Sequence, residues 1–212
     1  GSQILQMNDY IDQCKAINNM LHWLEQNNIV PEVINVGGGL GIDYQQPERN
    51  PIANFKGYFA LYAKHLKRKA GQSIHFELGR SVVAQCGALI TRVLYVKQNY
   101  MHGHVQSSLT TLYPSASIVK QFVIVDAGMT ELIRPALYQA HHVIVNLTSI
   151  SPILQNYDVV GPICESSDVF ASSIALPTTQ RGDLIAILSA GAYGETMASC
   201  YNCRTLPRTY VF

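Results

Sequence analysis

The spacing of apolar positions changes along the chain and divides it into two parts. Apolar residues recur every three or four positions over Asp9–Gln26 and again over Ile52–Lys69, which predicts two amphipathic helices. The β-branched run Val33–Val36 and the run Ser73–Glu77 predict two short strands between and after them. Helix, strand, helix and strand in this order predict βαβ units, and therefore a parallel sheet.

After Ala84 the helical spacing largely ends, and β-type runs follow one another without helices between them. This pattern predicts an antiparallel β domain. The predicted strands are Ala88–Val96, Gln121–Val125, His142–Leu147, Asp158–Ile163, Leu184–Leu188 and Thr209–Phe212. We therefore expect two domains, residues 1–84 and 85–212, with a polar insert at Asn99–Ile118.

Composition excludes several classes of protein. The 212 residues carry a formal net charge of +1, which argues against nucleic acid or a membrane surface as the main partner. No apolar run reaches the roughly 20 residues that span a bilayer, and Gly1–Gln6 does not resemble the start of a signal peptide. The five cysteines are scattered and odd in number, which argues against a disulfide framework and favours a reducing cytoplasm.

Residues 1–84 contain too few elements for a closed barrel. Two helices and a few strands fall far short of an eight-stranded βα barrel, which needs about 250 residues. Parallel strands without neighbours would expose edges and faces that are normally covered. We expect the chain to be a fragment of a larger protein, in preference to a chain completed by a partner.

Three consecutive glycines, Gly37, Gly38 and Gly39, end the first predicted strand. Glycines in a row can adopt positive φ and present bare N–H groups to an anion. A phosphate at the carboxyl end of a strand is the ligand that such a turn suits. A tight turn without any ligand is the alternative on this stretch alone.

The second predicted strand ends at Glu77 and Arg80. Glu77 is suited to keeping a ring nitrogen protonated, and Arg80 to binding a phosphate or carboxylate. A local ion pair at the strand end is the alternative.

Three further loops carry candidate chemistry. Arg134 can pair with a substrate carboxylate, with Tyr138 as a second donor, or can be a surface charge beside a core residue. Cys164 beside Glu165 suits a proton donor next to a ligand for a substrate ammonium group, whereas a small buried cysteine is the alternative. Tyr193, in the stretch G-A-Y-G, can reach a phosphate or the substrate.

The pair Cys200 and Cys203 has the spacing of a metal or redox site. Because the chain has no second pair of this kind and no suitably spaced histidine, we do not expect a zinc site.

With these motifs together, the chain closely resembles the diaminopimelate decarboxylases, fold type III pyridoxal-phosphate enzymes with an alanine-racemase-like barrel. The resemblance runs from Gly1 to about Arg204. The matching blocks, in chain order, are G-S-Q-I, N-V-G-G-G-L-G-I-D-Y, F-E-L-G-R-S-V-V-A, V-D-A-G-M-T-E-L-I-R-P-A-L-Y, Y-D-V-V-G-P-I-C-E-S-S-D and A-G-A-Y-G. It implies the C-terminal part of a (β/α)8 barrel that binds pyridoxal 5'-phosphate, followed by an antiparallel β-barrel-like domain.

The resemblance also implies a role for each candidate residue. The cofactor would contact Ser2, Gly38, Gly39, Glu77, Leu78, Gly79, Arg80 and Tyr193, with the glycines at its phosphate and Glu77 at its pyridine nitrogen. The substrate would contact Arg80, Arg134, Tyr138, Glu165 and Tyr193. Cys164 would be the catalytic proton donor, and it would reach with Glu165 into the partner subunit's site of a homodimer.

The reaction implied is decarboxylation of meso-2,6-diaminopimelate to L-lysine and CO2, the last step of lysine biosynthesis. The chain departs from the family pattern in two places, and both bear on the activity that the resemblance implies. The cofactor-binding lysine and a ring-stacking histidine belong to the N-terminal half of the barrel and have no match here, so we expect little or no turnover from this chain alone. Leu78 stands where the family usually has proline, which should loosen that turn.

Two other functions remain open. An ornithine- or arginine-type decarboxylase of the same fold is one, although those relatives tend to carry Cys-Asp where this chain has Cys164-Glu165. A non-catalytic dimerisation or binding module is the other, and the missing lysine motivates it.

Overall fold

The structure, a computed structural model, describes residues 1–101 and 118–211. The central part of the predicted insert, residues 102–117, therefore lies outside the described residues. The chain divides into two compact units, Gly1–Gly87 and Ala88–Phe212. The division falls after Gly87, whereas the apolar pattern placed it after Ala84.

The first unit alternates helices and strands. Its elements are α1 (Met7–Gln26), β1 (Val33–Asn35), α2 (Phe55–His65), β2 (Ser73–His75), α3 (Arg80–Val83) and a 3-10 turn (Ala84–Cys86). Strands β1 and β2 pair in parallel, with Ile34 opposite Ile74. Both helices contribute to one core with this small sheet, as the βαβ pattern predicts.

Helix α2 is shorter than its apolar spacing predicted. It begins after Asn54, whose side chain accepts a hydrogen bond from the Gly57 N–H, and it ends at His65, because the backbone at Leu66 is extended. Beyond that point, Asn18 accepts a hydrogen bond from the Lys67 N–H at 2.8 Å. A side chain from α1 thus binds the backbone where the helix was expected to continue.

Aromatic residues dominate the core of the first unit. The rings of Tyr10 and Tyr58 meet edge to face at 4.9 Å, and Tyr62 lies 5.0 Å from Tyr58. Burial raises the pKa of Tyr10 to about 12, so its hydroxyl stays neutral at physiological pH. Trp23, the one tryptophan in the sequence, lies on α1 and is 58% exposed.

The second unit is a six-stranded mixed sheet. Its elements are β3 (Leu89–Met101), β4 (Ile118–Val125), α4 (Arg134–Tyr138), β5 (Ile144–Asn146), β6 (Leu154–Val160), β7 (Val169–Pro177) and β8 (Leu184–Ile187), followed by two 3-10 turns (Glu195–Met197 and Tyr201–Cys203). The strands lie in the order β5-β8-β3-β4-β6-β7. Asn146, at the end of β5, donates a hydrogen bond to Thr179, just after β7, at 3.0 Å. The two edges of the sheet therefore approach each other, and the sheet is nearly closed.

One strand pair differs from the antiparallel expectation. Strands β4 and β6 are parallel, while the remaining pairs of this sheet are antiparallel. A parallel pair needs a long connection. Here that connection contains α4 and β5, and β5 pairs at the far side of the sheet next to β8.

One strand was missed, and one predicted strand was wrong. Strand β7 was not predicted, because Ser172 and Ser173 interrupt its apolar run. The strand predicted at the C-terminus is absent from its described part, residues 209–211. Valine, isoleucine and leucine side chains of the other strands fill the core of this unit, among them Val123, Val159 and Ile185.

Candidate active site

The glycine turn closes the carboxyl end of β1. Gly37 and Gly39 have φ of +72° and +99°. At Gly38, an added Cβ would lie 2.1 Å from the Glu77 carbonyl oxygen, so only glycine allows the two strand ends to approach this closely. No hydrogen bond from the Gly38 or Gly39 N–H is found among the described residues. Two donors at the end of a strand are thus available to an anion.

Glu77 is exposed, and its carboxylate is held by a neighbouring strand. Its Oε1 accepts a hydrogen bond from Asn35 Nδ2 at 2.7 Å, and Asn35 Oδ1 accepts one from the Gly37 N–H at 2.8 Å. Asn35 therefore links the carboxylate to the glycine turn. Sequence reasoning missed this residue, although a lone amide in a β-branched strand just before the glycines was a usable signal.

Arg80 lies at the start of α3 and forms hydrogen bonds with two other segments of the chain. Its Nη1 donates to the Tyr44 hydroxyl at 2.8 Å, and its Nη2 donates to Ser2 Oγ at 3.1 Å. Ser2 and Arg80, predicted together, are therefore in contact, while Tyr44 was not predicted. Glu77 and Arg80 thus each have polar partners on other segments. Leu78, between them, packs against the core of its unit.

A cleft of about 370 Å³ opens beside the glycine turn. Its lining consists of Gly1, Ile4, Asp9, Tyr10, Gln13, Val36, Gly37 and Gly38. Glu77 and Arg80 are not among its lining residues, whereas Gly37 and Gly38 of the glycine turn are.

In the second unit, Arg134 is buried at the start of α4 with 6% of its surface exposed. Its guanidinium lies 5.8 Å from the ring centroids of both Tyr138 and Tyr193. The alternative of a surface charge is therefore wrong. Tyr193 has φ of +66°, an unfavourable conformation for a bulky residue that often marks a functional position.

Cys164 and Glu165 are both exposed on the loop that follows β6, so the alternative of a buried cysteine is wrong. Buried Asp168 holds this loop. Its Oδ2 accepts a hydrogen bond from the Ile163 N–H at 2.7 Å, and its Oδ1 accepts one from the Met129 N–H at 2.6 Å. Burial raises the pKa of the Asp168 carboxyl, although these two hydrogen bonds act in the opposite direction.

The C-terminal segment contributes contacts that sequence reasoning missed. The Tyr201 hydroxyl donates a hydrogen bond to Glu165 Oε1. Arg204 Nε pairs with buried Glu131 at 3.1 Å. Within the part of the chain that the structure describes, no group of three or more side chains suited to a metal is found. Sequence analysis considered only the cysteines of the motif C-Y-N-C, whereas its tyrosine, Tyr201, forms the hydrogen bond to Glu165.

The candidate residues fall into two groups, one in each unit. Ser2, Gly38, Gly39, Glu77 and Arg80 lie at the strand ends of the first unit. The second group comprises Arg134, Tyr138, Cys164, Glu165 and Tyr193, among which the structure brings Arg134 together with both tyrosines. That the two groups form one cavity stays a prediction. None of the described helices is long and apolar enough to cross a membrane.

Comparison with known proteins places these features in context. The family model described as "Pyridoxal-dependent decarboxylase, C-terminal sheet domain" matches residues 14–191. The diaminopimelate decarboxylase of Bacteroides thetaiotaomicron is 56% identical over 210 residues, which are 99% of this chain and 50% of that protein. The chain thus spans about half the length of the curated relatives it matches.

Solved structures show the same fold. A crystal structure of diaminopimelate decarboxylase from Helicobacter pylori, complexed with L-lysine, matches with a TM-score of 0.74 and 36% identity, over 97% of this chain and 46% of that one. The lysine/ornithine decarboxylase of Vibrio vulnificus, complexed with cadaverine, matches with a TM-score of 0.76 over 97% of this chain and 50% of that one. At 19% identity, this second likeness concerns the fold alone.

Proposed function

The chain belongs to the family of pyridoxal-dependent decarboxylases, and on that premise we propose that it forms the C-terminal half of an enzyme that converts meso-2,6-diaminopimelate to L-lysine and CO2. The observation that carries the choice of substrate is buried Arg134, whose guanidinium lies 5.8 Å from the centroids of two tyrosine rings. A guanidinium can bind a carboxylate through two parallel hydrogen bonds, and a second carboxylate is what diaminopimelate has and ornithine lacks. The expected fold, a barrel part followed by a β-barrel-like domain, is confirmed by the family match and the solved structures.

The residues of the first unit fit the phosphate of the cofactor. The N–H groups of Gly38 and Gly39 are available as donors, and no Cβ blocks their approach. The Ser2 hydroxyl and the Arg80 guanidinium, in contact with each other, add a second donor group beside the turn. Pyridoxal phosphate, when bound, supplies an electron sink for the negative charge that departure of CO2 leaves at the substrate Cα.

Glu77 would stabilise positive charge on the cofactor's ring nitrogen. A carboxylate held in place by Asn35 is already oriented, so little reorganisation is needed when that charge appears. Leu78 and Gly79 connect it to Arg80 along the backbone beside the cofactor.

The second unit supplies the substrate contacts and the proton. Arg134 and Tyr138 bind the distal carboxylate, while Glu165 binds the distal ammonium group. Cys164 holds a proton at Sγ and gives it to the substrate Cα. Tyr193 lies against both cofactor and substrate. In this proposal, Cys164 and Glu165 reach the partner's site of a cytoplasmic homodimer, and the lysine that binds the cofactor comes from the remainder of the enzyme.

Turnover by the full-length protein tests the proposal. The complete gene product, supplied with pyridoxal phosphate, should release CO2 from meso-diaminopimelate much faster than from L-ornithine. A preference for ornithine would overturn the choice of substrate. Release from neither would favour the non-catalytic module, and a natural protein of about 23.4 kDa would do the same.

A further inference from the structure

Resting on the function proposed above, we propose that Tyr201 is a positioning residue, which holds the Glu165 carboxylate in the orientation that receives the distal ammonium group of the substrate. The contact itself is simple. The Tyr201 hydroxyl donates to Glu165 Oε1, and Oε2 accepts no hydrogen bond among the described residues. One oxygen is thus held by the protein, and the other is left to a ligand.

Glu165 needs such a partner because its side chain is exposed. A free glutamate side chain samples many rotamers, and ordering it on binding would lower substrate affinity. Tyrosine has only two side-chain torsions and a rigid ring, so its hydroxyl is a well-placed donor. The contact joins residues 36 positions apart, and it therefore fixes the side chain relative to a distant segment.

The backbone on the Glu165 side is fixed as well. The Glu165 N–H donates to the Ile163 carbonyl at 2.8 Å, and the Asp168 N–H donates to the Glu165 carbonyl at 3.1 Å. The Asp168 carboxylate in turn binds the Met129 N–H. The loop that carries Glu165 is thereby attached to the turn at residues 126–131.

The backbone on the Tyr201 side is attached to that same turn. The Arg204 N–H donates to the Tyr201 carbonyl at 3.4 Å, and Arg204 binds both the Glu131 carboxylate and the Asp126 carbonyl. Glu131 also accepts from the Gly128 N–H at 2.7 Å. The segments that carry Glu165 and Tyr201 are therefore both hydrogen-bonded to the turn at residues 126–131. This shared attachment distinguishes the contact from a hydrogen bond between two mobile surface side chains.

The Glu165 carboxylate keeps the Tyr201 hydroxyl protonated, and therefore a hydrogen-bond donor. Its hydrogen bond with Tyr201 and its negative charge both raise the pKa of Tyr201. The hydroxyl therefore stays protonated at neutral pH.

Steady-state kinetics of the full-length holoenzyme test this role. Tyr201→Phe removes the hydroxyl and keeps the ring, so KM for meso-diaminopimelate should rise about tenfold while kcat stays within about twofold. Tyr210→Phe, which removes an exposed hydroxyl six residues beyond Arg204, is the matched control and should change neither value.

Two competitive inhibitors make the readout specific for the ammonium group. L-Lysine keeps the distal ammonium and should bind Tyr201→Phe about tenfold more weakly. 2-Aminopimelate has no distal ammonium group, and its inhibition constant should be unchanged. Because both constants are measured in the same variant, a smaller fraction of folded enzyme does not alter the comparison. An equal loss for both inhibitors, or no loss for either, would overturn the inference.

A double substitution separates this inference from the function on which it rests. Once Glu165→Gln has removed the carboxylate charge, adding Tyr201→Phe should raise KM no further. If Glu165→Gln raises KM and Tyr201→Phe does not, Tyr201 has no positioning role although the proposed role of Glu165 stands. If Glu165→Gln leaves KM unchanged, the proposed role of Glu165 fails, and the inference fails with it.

Discussion

Buried Asp168 links two loops through a single carboxylate, and it offers the clearest pH prediction. Burial raises its pKa in the folded chain above the ordinary value of 3.8. As pH rises from about 4, the unfolded chain loses this proton first, so the stability contributed by Asp168 falls until pH passes the raised pKa and then levels off. Asp168→Asn should abolish that slope.

The same substitution should also destabilise the second unit by about 1–3 kcal/mol, because the amide turns an NH2 group toward a backbone N–H that needs an acceptor. Urea unfolding followed by circular dichroism between pH 4 and 8 measures both effects. Asp12→Asn, at an exposed carboxylate on α1, is the control. An unchanged slope in Asp168→Asn would contradict the assignment of this titration.

Arg204 neutralises a buried carboxylate. Glu131 is only 6% exposed and accepts the Arg204 Nε at 3.1 Å, so Arg204→Met should leave an unpaired charge in the core. We expect a loss of about 2 kcal/mol in the free energy of unfolding, less than for a fully buried pair because Arg204 is partly exposed. Denaturant midpoints measure this loss. Arg208→Met, at an exposed arginine, should cost much less, and equal losses would argue against the ion pair.

At this scale, the residue types that carry chemistry could be predicted and their partners could not. Glu77, Arg80 and Cys164 stood out because a charge or a thiol follows an apolar run. Asn35, Tyr44, Tyr201 and Arg204 were missed since they act on residues 36 to 73 positions away. Their contacts depend on how the chain folds back, which local spacing does not encode.

At the scale of elements, α2 shows what periodicity omits. The apolar spacing over Ile52–Lys69 correctly predicted a helix, but side-chain acceptors decide where that helix begins and ends. Asn54→Ala should destabilise the first unit by about 1 kcal/mol, because the Gly57 N–H loses its partner at the helix start. Asn54→Ser keeps an acceptor and should retain most of the stability. Thermal unfolding of the two variants tests the difference, and equal melting temperatures would count against the cap.

Strand β7 departs from regular strand geometry at Ser173, one of the two serines that interrupt its apolar run. Ser173 has φ of +52°, and its N–H donates to buried Asp158 at 2.9 Å, next to an irregularity in the β6–β7 register. Ser173→Val should cost about 1–2 kcal/mol, since a β-branched residue is strained at positive φ.

Ser173→Gly is the matched control and should be neutral or slightly stabilising, because glycine adopts this conformation freely. Urea midpoints of both variants decide the matter. Equal tolerance of valine and glycine would show that the positive φ is not enforced in solution.

At the scale of the whole molecule, the described core residues form two separate clusters, one in each unit. The apolar pattern loses its helical spacing near Ala84, and the chain divides after Gly87. The pattern did not predict the parallel β4–β6 pair, whose connection depends on β5 joining the far side of the sheet.

A matched pair of substitutions tests the independence of the two cores. Ile34→Ala in the first unit and Ile185→Ala in the second each remove a buried side chain and should each cost about 3 kcal/mol. Amide hydrogen exchange should show lowered protection first in the unit that carries the substitution. Equal loss across both units in either variant would mean that the cores unfold as one.

The position of the single tryptophan determines what optical methods can report. Trp23 lies on α1, and the six-stranded unit contains no indole. Tryptophan emission therefore does not report directly on unfolding of the six-stranded sheet. Because the ring is already largely in water, its spectrum should shift little even when α1 unfolds. A melting curve recorded by tryptophan emission should therefore show little change, whereas absorbance or emission of the 12 tyrosines should report the unfolding that tryptophan does not.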